Sequence, residues 1–308
     1  MVRLTAQNFM AAIVSKFSHA AARAIAILVK ACVVACAVQV LSGCAWIELK
    51  ERELVFRATP GRPADFAGLR AGDSAFTLAV PGANLAVPDT LQLWWLPHPD
   101  AQAPALLYLH GTFRNLYQNL RKIDALRQAG FAVLAVDYRG WGDSTPIVPS
   151  EASIYADANS AWAEFVKRQP DPRRRVIYGH SMGGGVAIEL AHRKQVGVDY
   201  AALVTESTFT RWPDVGAANG VLGSVLSLFS SQRFDSIAKI GQVDAPILML
   251  HGSADTTVPV TLGRQLRDAA PAGTRWVEIA GGSHSNLQRD APEVYQAALR
   301  ALISQIAR

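Results

Sequence analysis

From Ala105 onward the apolar positions fall into short runs, at Ala105–Leu109, Phe131–Val136, Arg175–Tyr178, Ala201–Thr205, Pro246–Leu250 and Arg275–Ile279. Runs of this length with little polar alternation suit strands covered on both faces. Between most of them lie stretches of helix length, at Leu116–Gln128, Ile154–Arg168, Gly183–Lys194 and Val260–Ala269. Strand alternating with helix predicts the α/β class: a mostly parallel central sheet with helices on both faces. Upstream, the chain to about Pro104 is rich in Pro, Gly and Ala, and Glu53–Arg57, Ala75–Val80 and Leu91–Leu96 read as edge strands joined by turns. The connection from Thr205 to Pro246 takes about forty residues and carries Phe209, Trp212, Val221, Leu222, Val225, Leu226, Leu228 and Phe229. A connection that long usually has a use. Two readings stand: a short cap insertion over residues 207–243, with Trp212, Leu226 and Phe229 above a site, or an apolar stripe packed on the domain.

The N-terminus follows a different pattern. A basic stretch leads to an apolar run from Ala31 to Leu41, then Ser42, Gly43 and Cys44. This is the architecture of a secretory signal. The run is short of the roughly 18 residues of a spanning helix, so a permanent transmembrane anchor is the lesser reading. Leu41-Ser42-Gly43-Cys44 resembles the lipobox of bacterial lipoproteins. The resemblance implies a signal peptide over 1–43, lipidation at Cys44, and a single domain over 44–308 tethered to the cell envelope. Ala45 and Trp46 follow the cysteine with no aspartate, which leans towards the periplasmic face of the outer membrane. Met10 is an alternative start.

Charge adds little beyond this. The formal net charge is +5, but Arg3, Lys16, Arg23 and Lys30 are the only charged residues before Cys44, and without them the 30 basic residues fall to 26 against 25 acidic. The basic balance belongs to the leader, and no nucleic-acid partner is implied. Cys32, Cys36 and Cys44 are the only cysteines, so the exported part carries no free thiol beyond Cys44, as suits an oxidising compartment. With 50% hydrophobic residues in 308, the chain can bury a core without disulfides or structural zinc.

Gly179-His180-Ser181-Met182-Gly183 fits the G-x-S-x-G nucleophile elbow, in which glycines permit a sharp strand-to-helix turn that lifts the serine hydroxyl towards substrate. Three fixed positions recur by chance about 0.1 times in such a chain. The setting is what gives the motif weight: it follows an apolar strand and opens, through Gly183-Gly184-Gly185, an apolar helix. A serine hydroxyl needs a base and the base needs a carboxylate, which follow the nucleophile in the order acid, then histidine. His284, on the glycine-rich loop after the last strand, is the base. His251 lies ahead of the acid, His192 sits on the helix after the elbow, and His98 and His110 precede the serine. Asp255, just beyond a strand end, is the acid, because catalytic groups gather at that edge of a parallel sheet. Asp235 and Asp244 precede the strand, and Asp290 reads as the N-cap of the last helix. Oxyanion donors are expected from the backbone N–H of Met182 and of Thr112, with Phe113 a weaker choice. His110 reads as a structural hydrogen bonder under that loop.

Leu107-Tyr108-Leu109-His110-Gly111, Asp137-Tyr138-Arg139-Gly140-Trp141-Gly142-Asp143-Ser144, the elbow with Gly184, Thr205-Glu206-Ser207 and Leu250-His251-Gly252-Ser253-Ala254-Asp255 together resemble the α/β-hydrolase branch of serine aminopeptidase-like domains and related protein depalmitoylases. The resemblance spans about Leu91 to the C-terminus. It implies the α/β-hydrolase fold and gives the same three roles to Ser181, Asp255 and His284. It also implies a shaping role for the loop Asp137–Ser144 at the site's rim, and leaves Glu206 either pairing within the site or holding the loop. Thr112-Phe113-Arg114 departs from the small residues these relatives often carry after His-Gly, so the acyl pocket beside Phe113 is expected to be narrower or differently shaped.

The expected activity is hydrolysis of carboxylic esters or thioesters of apolar acyl groups through an acyl-enzyme, with no metal and no organic cofactor. A peptidase or amidase on the same triad is the alternative, with Glu206 as the one candidate receiver for a substrate amine. A catalytically idle envelope binding protein is the alternative of another class, and three intact triad residues weigh against it. Substrate identity and oligomeric state are not legible.

Overall fold

The computed structural model describes Lys30 and residues 45–82, 87–220 and 230–307. The signal segment with Cys32, Cys36 and Cys44, and the apolar positions Val221, Leu222, Val225, Leu226, Leu228 and Phe229, lie outside the described residues. The chain divides into a unit of Met1–Lys50 and one of Glu51–Arg308. In the first, residues 45–50 are helical and exposed. Among the described residues, no helix is long and apolar enough to cross a membrane.

The second unit is built on eight strands: β1 (Ser74–Val80), β2 (Asp89–Leu96), β3 (Ala105–Leu109), β4 (Ala132–Asp137), β5 (Arg175–His180), β6 (Ala202–Glu206), β7 (Ile247–Gly252) and β8 (Arg275–Ile279). They form one sheet in the order β1-β2-β4-β3-β5-β6-β7-β8. β2 pairs antiparallel with both β1 and β4, and the other pairs are parallel. The helices are α1 (Leu116–Ala129), α2 (Glu151–Arg168), α3 (Met182–His192), α4 (Trp212–Ala218), α5 (Ile237–Ile240), α6 (Val260–Ala269), α7 (Leu287–Asp290) and α8 (Pro292–Ile306).

The unbroken apolar runs have a direct cause in this sandwich. Successive side chains of a strand point to opposite faces, and here both faces are covered. Leu107, Leu109, Leu134, Val136 and Ile177 pack on one side with Ile154, Phe165, Val186 and Leu190 of α2 and α3. Leu106, Tyr108, Val133, Val176 and Tyr178 pack on the other with Ile123 and Leu126 of α1 and Leu299 and Leu302 of α8. α1 starts at a capping box, in which the Asn115 side chain accepts from Gln118 N and Gln118 returns a bond to the Asn115 N–H. It stops at Gly130, whose φ of 116° reverses the chain into β4.

Three expectations need correction. Residues 53–56 are the end of a helical turn and no strand. Arg57 N donates to Glu53 O in a helical turn, and Phe56 packs on Trp141, Trp212 and Phe234. β2 is interior, paired with both β1 and β4. Asp290 ends α7, while Ala291 precedes α8; the Asp290 carboxylate instead accepts from Ser283 N and Oγ, at 2.9 and 2.5 Å, and so pins the loop that carries His284.

Leu107 is fully buried at the centre of β3. Leu107→Ala is expected to lower unfolding free energy in urea by about 2–5 kcal/mol, whereas Val198→Ala at an exposed position should stay within about 0.5 kcal/mol.

Candidate active site

Ser181 stands between β5 and α3, at the N-cap position, with φ 56° and ψ −122°, a conformation strained for a residue with a Cβ. Close packing around the turn enforces it. A Cβ on Gly179 would stand 2.0 Å from Gly183 O, and one on Gly183 would stand 2.1 Å from Leu109 O, so neither position accepts another residue. Ser181 N donates to Glu206 O at 2.8 Å, and Gly184 N to Ser181 O at 2.9 Å. The Ser181 side chain caps no N–H of α3. First-turn donors therefore stay available to an anion.

Three loops at the C-terminal ends of parallel strands meet here. His284, after β8, has Nε2 3.0 Å from Ser181 Oγ and Nδ1 2.7 Å from Asp255 Oδ2. Asp255, after β7, accepts through Oδ1 from Thr257 N and Val258 N at 2.9 and 2.8 Å. Burial disfavours the charge on Asp255, yet hydrogen bonding from His251 and His284 and from Val258 N outweighs it and holds the carboxyl well below the usual carboxylate range. A carboxylate that stays ionised can orient an imidazole and stabilise its cation.

The β3–α1 loop supplies the third wall. A Cβ on Gly111 would lie 2.9 Å from Ser181 Cβ, so the glycine lets this loop press against the nucleophile. Thr112 and Ser181 line one cavity of about 280 Å³ with Leu54, Val55, Phe113 and Trp212. Met182 follows directly as the first residue of α3. Beneath the loop, buried His110 has Nδ1 2.6 Å from Gly111 O and Nε2 3.2 Å from Asp137 Oδ1, while Asp137 Oδ1 also accepts from Leu116 N. Ser144 Oγ donates to Asp137 O, and Arg62 and Tyr117 hold Asp143. The loop from Asp137 to Ser144 is thus tied into the frame behind the β3–α1 loop, with Trp141 packed on His110.

Glu206 is fully buried and turned into a polar cluster. Lys122 Nζ and Tyr178 OH donate to it, as does Tyr295 OH at 3.0 Å, and Lys122 also reaches Gln288 Oε1. None of these residues lines the cavity at Ser181. Of the described part of the apolar connection, Phe209, Trp212 and Val215 line that cavity, and Trp212 packs on Phe209 and Phe234.

Two supporting histidines escaped the sequence reading. His180 Nε2 lies 3.0 Å from the His284 carbonyl oxygen. Burial, reinforced by the positive charge of Lys122, pushes His180 well below the usual histidine range, so it is neutral and its Nε2 carries the hydrogen that this carbonyl accepts. His251, set aside as a rival base, stands with Nε2 2.9 Å from Val258 O and 3.4 Å from Asp255 Oδ2. The only signal was position: one histidine beside the nucleophile, and another four residues before the acid at a strand end. Lys122, buried on the inner face of α1, was also missed; its partner Glu206 is remote in sequence.

A strained serine between β5 and a helix, backed by a histidine and an acid from the last two strand ends, defines the α/β-hydrolase class. Residues 101–235 match the family described as serine aminopeptidase, S33. An uncharacterized protein of Mycobacterium tuberculosis is 33% identical over 217 residues, covering 70% of this chain and 75% of that one. The lysophosphatidylserine lipase ABHD12 of Danio rerio is 32% identical over 192 residues, covering 58% of this chain and 50% of the lipase. An esterase of Pyrococcus furiosus superposes with a TM-score of 0.65 at 15% identity, covering 80% of this chain and 97% of the esterase. The chain belongs to the α/β hydrolases of the serine aminopeptidase S33 family, and it is a hydrolase.

Gly111→Ala should push the β3–α1 loop off Ser181 and lower kcat by about 10- to 100-fold, on the scale of a displaced oxyanion donor, with KM little changed. Steady-state kinetics beside a thermal melt check this: an unchanged kcat in a folded variant would remove the loop from the site.

Proposed function

We propose that the chain is a serine esterase or thioesterase working through Ser181, His284 and Asp255. The single observation that carries this is the continuous hydrogen-bonded chain from Asp255 Oδ2 through His284 to Ser181 Oγ, at 2.7 and 3.0 Å. Ser181 Oγ attacks the acyl carbon while His284 Nε2 takes its proton. Asp255 stabilises the imidazolium, and the N–H groups of Met182 and Thr112 receive the oxyanion. The bond to the leaving oxygen or sulfur then breaks as His284 returns the proton to it. Water, deprotonated by the same histidine, cleaves the acyl-enzyme and frees the acid and Ser181.

Ester hydrolysis is supported by the lipase among the relatives and by the apolar side chains of the cavity, where Phe113, Phe209, Trp212 and Val258 stand around Ser181 together with Arg57, Thr112, Asn219 and Thr257. The peptidase alternative is disfavoured because no carboxylate is among the described residues lining that cavity, and Glu206 is engaged by Lys122, Tyr178 and Tyr295. We also propose lipidation at Cys44 and an envelope location, a reading that rests on the Leu41–Cys44 sequence.

A fluorophosphonate probe should label the native protein and leave Ser181→Ala unlabelled; equal labelling would remove Ser181 as nucleophile. Along a series of p-nitrophenyl esters, kcat/KM should rise by up to about fourfold per methylene, the value of burying one CH₂, until the cavity is filled. Aminoacyl anilides turned over faster than these esters would favour the peptidase. Asp255→Asn should lower kcat by about 10³- to 10⁴-fold through the wrong imidazole tautomer, measured on the same esters. For the anchor, Cys44→Ala should move the protein from the membrane to the soluble fraction on cell fractionation.

A further inference from the structure

Phe113 is the point of strain in the β3–α1 loop. Its φ is 66°, and Arg114 N donates to Thr112 O at 2.9 Å across it, so residues 112–114 close a γ-turn with positive φ, the rare and strained form. A bulky aromatic residue does not favour that conformation by itself. Bonds from outside the turn hold it, and they come from the segment that follows Phe56.

Thr59 Oγ1 donates to Phe113 O at 2.7 Å. With Arg114 N–H on Thr112 O, both polar ends of the Phe113–Arg114 peptide are then engaged. Thr59 is itself fixed from two sides: its carbonyl accepts from Asn115 Nδ2 at 3.2 Å and from Gly142 N at 2.9 Å. Gly61 repeats the pattern, with its carbonyl accepting from Asn115 Nδ2 at 2.9 Å and its N–H donating to Gly142 O at 2.6 Å. The guanidinium of Arg57 covers the Phe113 ring, 5.4 Å from the centroid. Because Asn115 is the N-cap of α1, residues 57–61, the start of that helix and the loop Asp137–Ser144 brace the turn together.

The consequence for chemistry runs through one torsion. Downstream of Phe113 the chain is anchored at the cap of α1, and upstream Gly111 presses on Ser181. Relaxing Phe113 to a negative φ would therefore swing the Thr112–Phe113 peptide, next to the serine. Thr112 lines the cavity with Ser181, and among the described residues no acceptor takes its N–H. An oxyanion donor has its full effect only when it is in place before the charge develops.

Resting on the esterase reading above, we infer that Thr59 is a positioning residue for oxyanion stabilisation, its hydroxyl holding the strained turn at Phe113 and so keeping the Thr112 N–H where the oxyanion forms.

The test compares the native protein with Thr59→Val, Thr59→Ala and Thr59→Ser on one p-nitrophenyl ester. Active sites are counted by stoichiometric fluorophosphonate labelling, so that misfolded protein drops out of kcat. Thr59→Val should lower kcat by about tenfold with KM within about twofold, and Thr59→Ala, which removes the hydroxyl with less bulk, should match it. Thr59→Ser keeps the donor and should stay within about threefold of native. An alkyl trifluoromethyl ketone adds Ser181 Oγ at its carbonyl carbon, passing the serine proton to His284 and leaving the ketone oxygen as the anion. It should bind Thr59→Val more weakly by about the same tenfold. Thr274→Val removes a bond of the same kind at the turn before β8, from Thr274 Oγ1 to Pro271 O at 2.8 Å, and should leave kcat and ketone affinity as in the native protein. Native kinetics in Thr59→Val, an equal loss in Thr59→Ser, or a fall in kcat without weaker ketone binding would each overturn the inference, while turnover and labelling of the native protein keep the esterase reading. A native protein that neither cleaves the ester nor takes the probe would overturn both.

Discussion

The positive φ of Ser181 is the constraint around which the site is assembled. An L-residue held there costs roughly 1–3 kcal/mol and persists only where its surroundings over-determine it. Here those surroundings are backbone: Gly179 against Gly183, Gly183 against Leu109 O, and Ser181 N on Glu206 O. β5 sits between β3 and β6, and both neighbours take part in holding the turn. The sheet order therefore does more than arrange the core, since it brings the two strands that clamp the elbow to either side of it.

Buried polar groups around this turn are handled in two ways. Beside the reacting atoms they are arranged so that charge is tolerated: Asp255 keeps its proton off because two histidines and two backbone N–H groups surround it. Away from the cavity they are paired off, as in the cluster of Glu206 with Lys122, Tyr178 and Tyr295. A buried ion pair of this kind is weak evidence for stability but breaking one partner is costly. The cluster joins α1, β5, β6 and α8, the elements beneath the loop that carries the base. Neutral His180, donating to the His284 carbonyl, links the elbow to that same loop.

The cavity at Ser181 draws its wall from the β3–α1 loop, from Leu54, Val55 and Arg57 and from the β6–β7 connection, so apolar side chains and one cation stand together around the serine. Phe113, with φ 66°, is the β3–α1 loop residue that brings an aromatic ring to this wall. The departure from small residues at Thr112-Phe113-Arg114 thus bears on the wall beside Ser181.

Much of this was legible in the chain itself. The α/β alternation, most strand positions and the order Ser181, Asp255, His284 follow from local patterns: apolar runs long enough for strands, glycines where a turn needs them, and polar residues just beyond strand ends. Local patterns carry such information because secondary structure and turns are set by nearest neighbours. What local patterns do not carry is which remote groups share a low-dielectric space. Residues 53–56 read as a strand until Phe56 found its aromatic neighbours, and Asp290 read as a helix cap until Ser283 claimed it. His251 turned from a rejected base into a neighbour of the acid, and Lys122 and Glu206, 84 positions apart, proved to be one buried pair. The sequence determined that a serine would be presented on a strained turn. Only the tertiary structure decided what surrounds it, because burial and pairing are properties of the packed whole.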